Sequence, residues 1–276
     1  MNAAAFRRLF MACLLLAVAG CANLGTAPDG LSIDTSRSAK GQDSRVMFLV
    51  LHYTVADFPL SMRVLTERDV SAHYLLSDES PPRIFRLVDE NRRAWHSGLS
   101  GWKGHRLLNA SSIGIEIVHP GFRIGPGGQR IYLPFPQAQV DALLPLVKDI
   151  VQRHQIRPER ILGHGEVTPA HKEDPGPTFP WQLLAERGIT PPWPDEARVA
   201  EQRAVFEALP PAAAWLQAAL AQWGYVIERS GTWDEQSRRV LMNFQMRYRP
   251  GNYSGQPDAE SAALLFVLNN PLKPAP

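Results

Sequence analysis

Val46-Met-Phe-Leu-Val-Leu-His-Tyr-Thr54, Ser112-Ile-Gly-Ile-Glu-Ile-Val118 and Arg160-Ile-Leu-Gly-His164 are short, nearly continuous apolar runs, the pattern of strands buried on both faces. Such strands need cover on two sides. Between the second and third runs, Gln137 to His154 carries Val140, Leu143, Leu144, Leu146, Val147, Ile150 and Val151 at the spacing of an amphipathic helix packed on a sheet. Strands alternating with helices predict an α/β layer structure.

A chain of 276 residues with 45% hydrophobic content is long enough for two modest domains. Pro191-Pro192-Trp193-Pro194 predicts a stiff linker over residues 191–198. Beyond it, Val199 to Leu209, Ala212 to Trp223, Glu235 to Arg247 and Asp258 to Leu268 read as helices separated by Gly-containing turns. Residues 46–190 are therefore expected to form one domain, and residues 199–276 a second, small helical one.

The N-terminal residues speak to location. Arg7 and Arg8 precede an apolar run, Leu9 to Val18, too short to span a bilayer and followed by Ala19, Gly20 and Cys21, so residues 1–20 read as a secretory signal. Val18-Ala-Gly-Cys21 also resembles a bacterial lipobox, which would make Cys21 a lipidated N-terminus. Two or three acyl chains on one residue suffice for stable membrane anchoring. Ala22 stands where an inner-membrane retention signal has Asp, which favours the outer membrane, periplasmic side. The stretch up to residue 45 reads as a flexible tether, rich in Gly, Ser, Thr and Asp. Cys13 would leave with the signal, so the mature chain is expected to hold no disulfide and no free thiol, which excludes thiolate catalysis and Cys-based zinc sites. Arg7 and Arg8 also account for the formal charge of +2, and the remainder is neutral. With no basic stripe interleaved with aromatics, nucleic acid is not expected as a partner.

Of the eight histidines, position separates two. His52 lies where the first buried strand gives way to polar residues, and His164 lies at the end of the third run between Gly163 and Gly165. Asp174 follows ten residues later, before the rigid Pro175-Gly-Pro177. Two imidazoles and one carboxylate leave a tetrahedral Zn²⁺ one open position, the composition of a catalytic site rather than a structural one. No helical His-Glu-x-x-His is present, which excludes the helix-borne zinc protease.

At these residues the sequence resembles the zinc N-acetylmuramoyl-L-alanine amidases of the type 2 amidase and peptidoglycan-recognition-protein fold, and among them the lipoproteins of the cell envelope. Leu51-His-Tyr-Thr54, Ser71-Ala-His-Tyr-Leu75, Ala94-Trp-His-Ser-Gly98, Ser112-Ile-Gly-Ile-Glu116, Gly163-His164, Lys172-Glu-Asp-Pro-Gly-Pro177 and Phe179-Pro-Trp181 carry the resemblance in order, over about half the chain. It implies a central mixed sheet flanked by helices, with His52, His164 and Asp174 as zinc ligands, Glu116 as general base and Lys172 as transition-state stabiliser. The implied reaction is hydrolysis of the amide between the lactyl group of N-acetylmuramic acid and L-alanine, on peptidoglycan or muropeptides.

The residues themselves fit those roles. The isoleucines of Ile113-Gly-Ile-Glu-Ile117 share one face by period two, so Glu116 points to the other with Gly114, whose missing side chain is expected to leave room for substrate. A structural ion pair with an arginine is the competing reading of Glu116, and a solvated loop charge that of Lys172. His73 and His96 are candidates for substrate contact on the cleft wall or, equally, buried donors to backbone carbonyls. His105, His119, His154 and His171 read as surface residues.

Leu216-Gln-Ala-Ala-Leu220, Trp223-Gly-Tyr225, Gly231-Thr-Trp-Asp234 and Phe244-Gln245 resemble a three-helix peptidoglycan-binding module, which would raise the local concentration of an enzyme on an insoluble polymer. The competing reading is a structural cap. For the whole chain, the alternatives to a zinc amidase are a non-catalytic peptidoglycan-recognition lipoprotein and a structural membrane-to-wall tether. Filled ligand and base positions favour the enzyme.

Overall fold

The computed structural model describes residues 25–26 and 32–272; the signal segment and Cys21 lie outside the described residues. Residues up to Asp43 form a unit of their own, in which Gly25–Thr26 pairs antiparallel with Ser32–Ile33 and residues 33–43 are exposed.

The second unit begins at Ser44. Its centre is β1 (Phe48–Tyr53), every residue of which is buried. Around it lie β2 (Tyr74–Leu76), the short β3 (Ile84–Arg86), β4 (Ser112–Ile117) and β5 (Ile161–Gly163), in the order β5-β1-β4-β2-β3. The first four in that order run parallel and β3 closes the edge antiparallel, so the sheet is mixed, as the family resemblance implied.

Alternation splits the sheet into two apolar faces. Leu49, Leu51, Ile113, Ile115, Ile117 and Ile161 share one core with Leu143, Val147 and Ile150 of α2 (Gln137–His154) and with Trp181 and Leu184 of α3 (Trp181–Glu186). The helix read from the 137–154 pattern has those bounds in the structure. Helix α1 (Phe58–Glu67), whose Leu65 packs with Leu75 and Val118, starts at Asp57, whose Oδ1 accepts from the Leu60 N–H at 2.9 Å, a cap worth about 1 kcal/mol.

Phe48, Val50 and Leu162 face the other way, into a core built with Trp102, Leu108, Leu216, Leu220, Leu241, Phe244 and Leu265. Most of these partners come from α5 (Ala213–Trp223), α6 (Glu235–Tyr248) and α7 (Ala259–Asn269), while α4 (Glu196–Ala208) packs along α7. Asp234 and Asp258 cap α6 and α7 through the N–H groups of Ser237 and Ser261, each at 2.8 Å. The C-terminal helices therefore supply the second cover of the catalytic sheet and share its core. The Pro-rich segment before them is anchored too: Trp193 packs against both cores and lies 5.3 Å, centroid to centroid, from Tyr248.

Candidate metal centre and cleft

Parallel strands deliver their C-terminal ends to one edge of a sheet, where ligands collect in open α/β folds. His52 is the penultimate residue of β1 and Glu116 that of β4, and the parallel ladder sets them side by side. His164 follows β5 directly, in the single helical turn His164–Val167. Asp174 comes from the loop beyond, tied back by a hydrogen bond from the Gly165 N–H to its carbonyl oxygen at 2.8 Å.

His52, His164 and Asp174 are all buried, and one donor atom from each lies within 4.8 Å of the others. Asp174 Oδ2 stands 3.3 Å from His52 Nδ1 and 3.2 Å from His164 Nδ1. Both are close to the roughly 3.4 Å edge of a tetrahedron whose donors lie about 2.1 Å from its centre. His52 Nδ1 and Glu116 Oε2 are buried polar atoms without a hydrogen-bond partner. Buried polar atoms are rarely left unsatisfied. Two nitrogens, one carboxylate and an orphaned lone pair thus suit a divalent cation of the zinc type.

Electrostatics agree. Burial drives His52 down to about 4, assisted by His164 and opposed by Asp174, so its imidazole is neutral at pH 7. Burial raises the Asp174 carboxyl, but His164 and His52 more than offset this and hold it well below the usual carboxylate range. Glu116 is pushed up to about 8 by burial and by the Asp174 carboxylate, with Lys172 pulling it down. Its Oε1 is 3.9 Å from His52 Nδ1, and among the described residues no arginine forms an ion pair with it.

Glu116, His164 and Asp174 line a cleft of about 320 Å³ together with Lys172, while His52 is buried beside them. Lys172 and Asp174 both face it, whereas Glu173 turns away to form an ion pair with Arg130. The opposite wall is apolar, with Leu60 and Val64 of α1, Val55, Val70 and Trp95; of these, Val55, Leu60, Val70 and Trp95 are exposed. No periodicity in the sequence marks this rim. Its only local signal was Trp95 beside His96, since a single tryptophan is more often core than surface. A larger groove of about 780 Å³, near Glu90 and Arg92, is lined by none of His52, Glu116, His164 and Asp174.

His73 and His96 lie behind the cluster. His73 Nε2 donates to the Arg92 carbonyl at 3.2 Å and its Nδ1 accepts from the Gly114 N–H at 3.0 Å, so the backbone occupies both nitrogens and leaves none for substrate. His96 borders the cleft, but its Nδ1 faces His52 Nε2 at 3.1 Å and its Nε2 faces Ser112 Oγ at 3.0 Å. The space beside Gly114 is likewise not free for substrate: a Cβ there would meet the His96 ring at 2.5 Å. Of the other histidines, His171 is exposed as expected, His105 and His154 are half-buried, and His119 is buried, stacked on Phe135 at 4.1 Å.

Helix α6 braces this edge from below. Asn243 donates to the Lys172 carbonyl at 3.2 Å and fits only because residue 165 is glycine, where a Cβ would stand 1.9 Å from Asn243 Oδ1. Arg247 and Glu166 form a buried ion pair at 2.7 Å, and the same Glu166 Oε2 accepts from the Gly163 N–H at 2.8 Å, one residue before His164.

Comparisons with known proteins match this architecture. The family described as N-acetylmuramoyl-L-alanine amidase matches residues 42–177, and the putative peptidoglycan binding domain matches residues 210–265. The N-acetylmuramoyl-L-alanine amidase AmiD of Escherichia coli is 42% identical over 271 residues, 95% of this chain and 97% of that protein. A solved complex of E. coli AmiD with the substrate anhydro-N-acetylmuramic acid-L-Ala-D-gamma-Glu-L-Lys is similar with a TM-score of 0.77 and 40% identity, covering 88% of this chain and 96% of that one. AmpDh3 from Pseudomonas aeruginosa gives a TM-score of 0.78 at 40% identity over 87% and 98% of the two chains.

Proposed function

The chain belongs to the N-acetylmuramoyl-L-alanine amidase family and is an amidase acting on peptidoglycan, and from that premise we propose that its cleft works with Zn²⁺ held by His52, His164 and Asp174. The bond cleaved is the amide between the lactyl group of N-acetylmuramic acid and L-alanine. The observation that carries the reading is the gathering of donor atoms of His52, His164 and Asp174 within 4.8 Å of one another, with His52 Nδ1 lacking a hydrogen-bond partner and Glu116 Oε1 3.9 Å from it.

When bound, Zn²⁺ supplies Lewis acidity, polarising a carbonyl and making water a nucleophile at neutral pH. Glu116, which the charge of a bound divalent cation would hold as carboxylate, takes the proton from the attacking water and passes it to the departing L-alanine amine. Its orphaned Oε2 has no competing donor. Lys172 stands at the cleft mouth as the cation for the oxyanion, a contribution of about 3 kcal/mol for one well-placed donor. The apolar rim of Val55, Leu60, Val70 and Trp95 suits the lactyl and alanine methyl groups and the apolar face of the sugar.

Glu116→Gln is nearly isosteric and tests the central role. It should keep stoichiometric zinc while muropeptide hydrolysis falls by roughly 10² to 10⁴. Undiminished hydrolysis by that variant would refute Glu116 as the base.

The envelope setting is part of the same proposal: Cys21 carries the acyl chains and holds the enzyme at the outer membrane, facing the wall. Arg7-Arg8, the short apolar run and Val18-Ala-Gly-Cys21 support this. The C-terminal helices, which match a peptidoglycan-binding domain, retain the enzyme on polymeric wall as well as covering the sheet.

A further inference from the structure

A chain of hydrogen bonds behind the cluster has a single permitted direction. Ser112 Oγ carries one hydrogen, and the Leu108 carbonyl at 2.7 Å can only accept, so the hydroxyl donates there. His96 Nε2, 3.0 Å from the same oxygen, must then be the donor to it. Among the described residues no carboxylate touches buried His96, and its ring neighbours are the imidazoles of His52 and His73 at 5.1 and 5.8 Å, so nothing there would hold a second proton and it carries one N–H only. Its Nδ1 is therefore bare. His52 Nε2, at 3.1 Å, must donate to it. That leaves His52 Nδ1 as a lone pair, which is the atom facing Asp174 Oδ2.

We propose that His96 and Ser112 are positioning residues that hold His52 in its Nε2–H tautomer, with the Leu108 carbonyl as the fixed end of the relay, so that Nδ1 is always free to bind the metal. In the opposite direction, a hydrogen on His52 Nδ1 would be held by Asp174 and block the ligand atom. Metal-bound histidines commonly donate their second nitrogen to a fixed acceptor, and losing that partner costs 10- to 100-fold in affinity. Here the acceptor is another imidazole, whose own tautomer is fixed one step further back. Gly114 is part of the device. Its missing side chain admits the His96 ring, and its N–H donates to His73 Nδ1 alongside.

Nitrogen-15 spectra of the side chains in the metal-free full chain read the tautomer directly. His52 should carry its proton on Nε2, and a proton on Nδ1 would overturn the relay. Zinc affinity, measured by competition with a chelator, gives the second readout. His96→Leu removes the acceptor and should bind zinc about 10- to 100-fold more weakly. His96→Gln, whose amide can accept from His52 and donate to Ser112, should recover most of that loss. Equal affinities for wild type and His96→Leu would refute the proposal, and the tautomer spectrum decides the matter should that variant fail to fold. The inference rests on the zinc reading, and the two fail separately: wild type that binds no zinc sinks the reading, whereas an Nδ1 proton sinks the relay.

Discussion

Replacing Arg247 by Met tests whether the C-terminal helices are structural partners of the His52, His164 and Asp174 cluster. Arg247 and Glu166 are both about 5% exposed or less as side chains, and each leaves one atom without a partner, Nε and Oε1. The pair is thus a weak source of net stability, yet removing one member strands a buried charge. That costs about 3–5 kcal/mol. The substitution also removes a 3.2 Å hydrogen bond to the Ile161 carbonyl and a guanidinium 4.1 Å from the Trp181 ring. Because these losses overlap, a total near 4 kcal/mol is expected, or roughly 8–16 °C in Tm for a unit of this size. Urea unfolding followed by circular dichroism measures it. Adding Glu166→Gln keeps the acceptor for the Gly163 N–H but removes the stranded charge, so the double variant should regain more than half of the loss. Zinc affinity should fall in the single variant and recover in the double, since Gly163 adjoins His164. A single variant less than about 1 kcal/mol below wild type, the value of a surface pair, would refute the reasoning, as would a double variant no more stable than the single.

The ligand assignment predicts that His52→Ala and His164→Ala each abolish zinc binding in calorimetric titration; stoichiometric zinc retained by the double variant would sink it. Acid stability should depend on Glu90, which hydrogen bonds from Arg153, Tyr74 and His154 hold at about 2 against burial, below its ordinary 4.5. A depressed pKa contributes stability that is full above about pH 4.5 and lost as pH falls through 2, so Glu90→Gln should flatten the urea midpoint between pH 5 and pH 2. An unchanged acid limb in that variant would contradict the assignment. For the anchor, wild type should incorporate labelled fatty acid and Cys21→Ser should not, while hydrolysis of soluble muropeptides is kept; equal labelling of both rules Cys21 out.

How much of this was legible depends on the range of each interaction. Strands and helices follow from local period, so the apolar runs at Val46 and Ser112 and the 137–154 helix were readable directly. His52, His164 and Asp174 stood out for a related reason, as histidines at the ends of buried strands and an aspartate before a rigid turn, but their meeting within 4.8 Å follows from the pairing of β5 with β1. What the period of one strand does not contain is its neighbour. The pairing of His52 with Glu116 exists only in the parallel ladder. Gly114 looked like open space because nothing nearby in sequence fills it; His96, eighteen residues earlier, does. Buried His119 looked solvated for the same reason, its partner Phe135 lying on a later loop.

The helical tail shows the limit most clearly. Its own periodicity determined four helices, close to where they lie, because amphipathic spacing and Asp caps act within a few residues. That those helices close the second face of the sheet, and that Asn243 and Arg247 hold the segments bearing Lys172 and His164, was decided by tertiary packing. A buried strand requires cover on both faces, and the sequence states that need. Which part of the chain meets it is settled only when apolar surfaces far apart in sequence exclude water from each other.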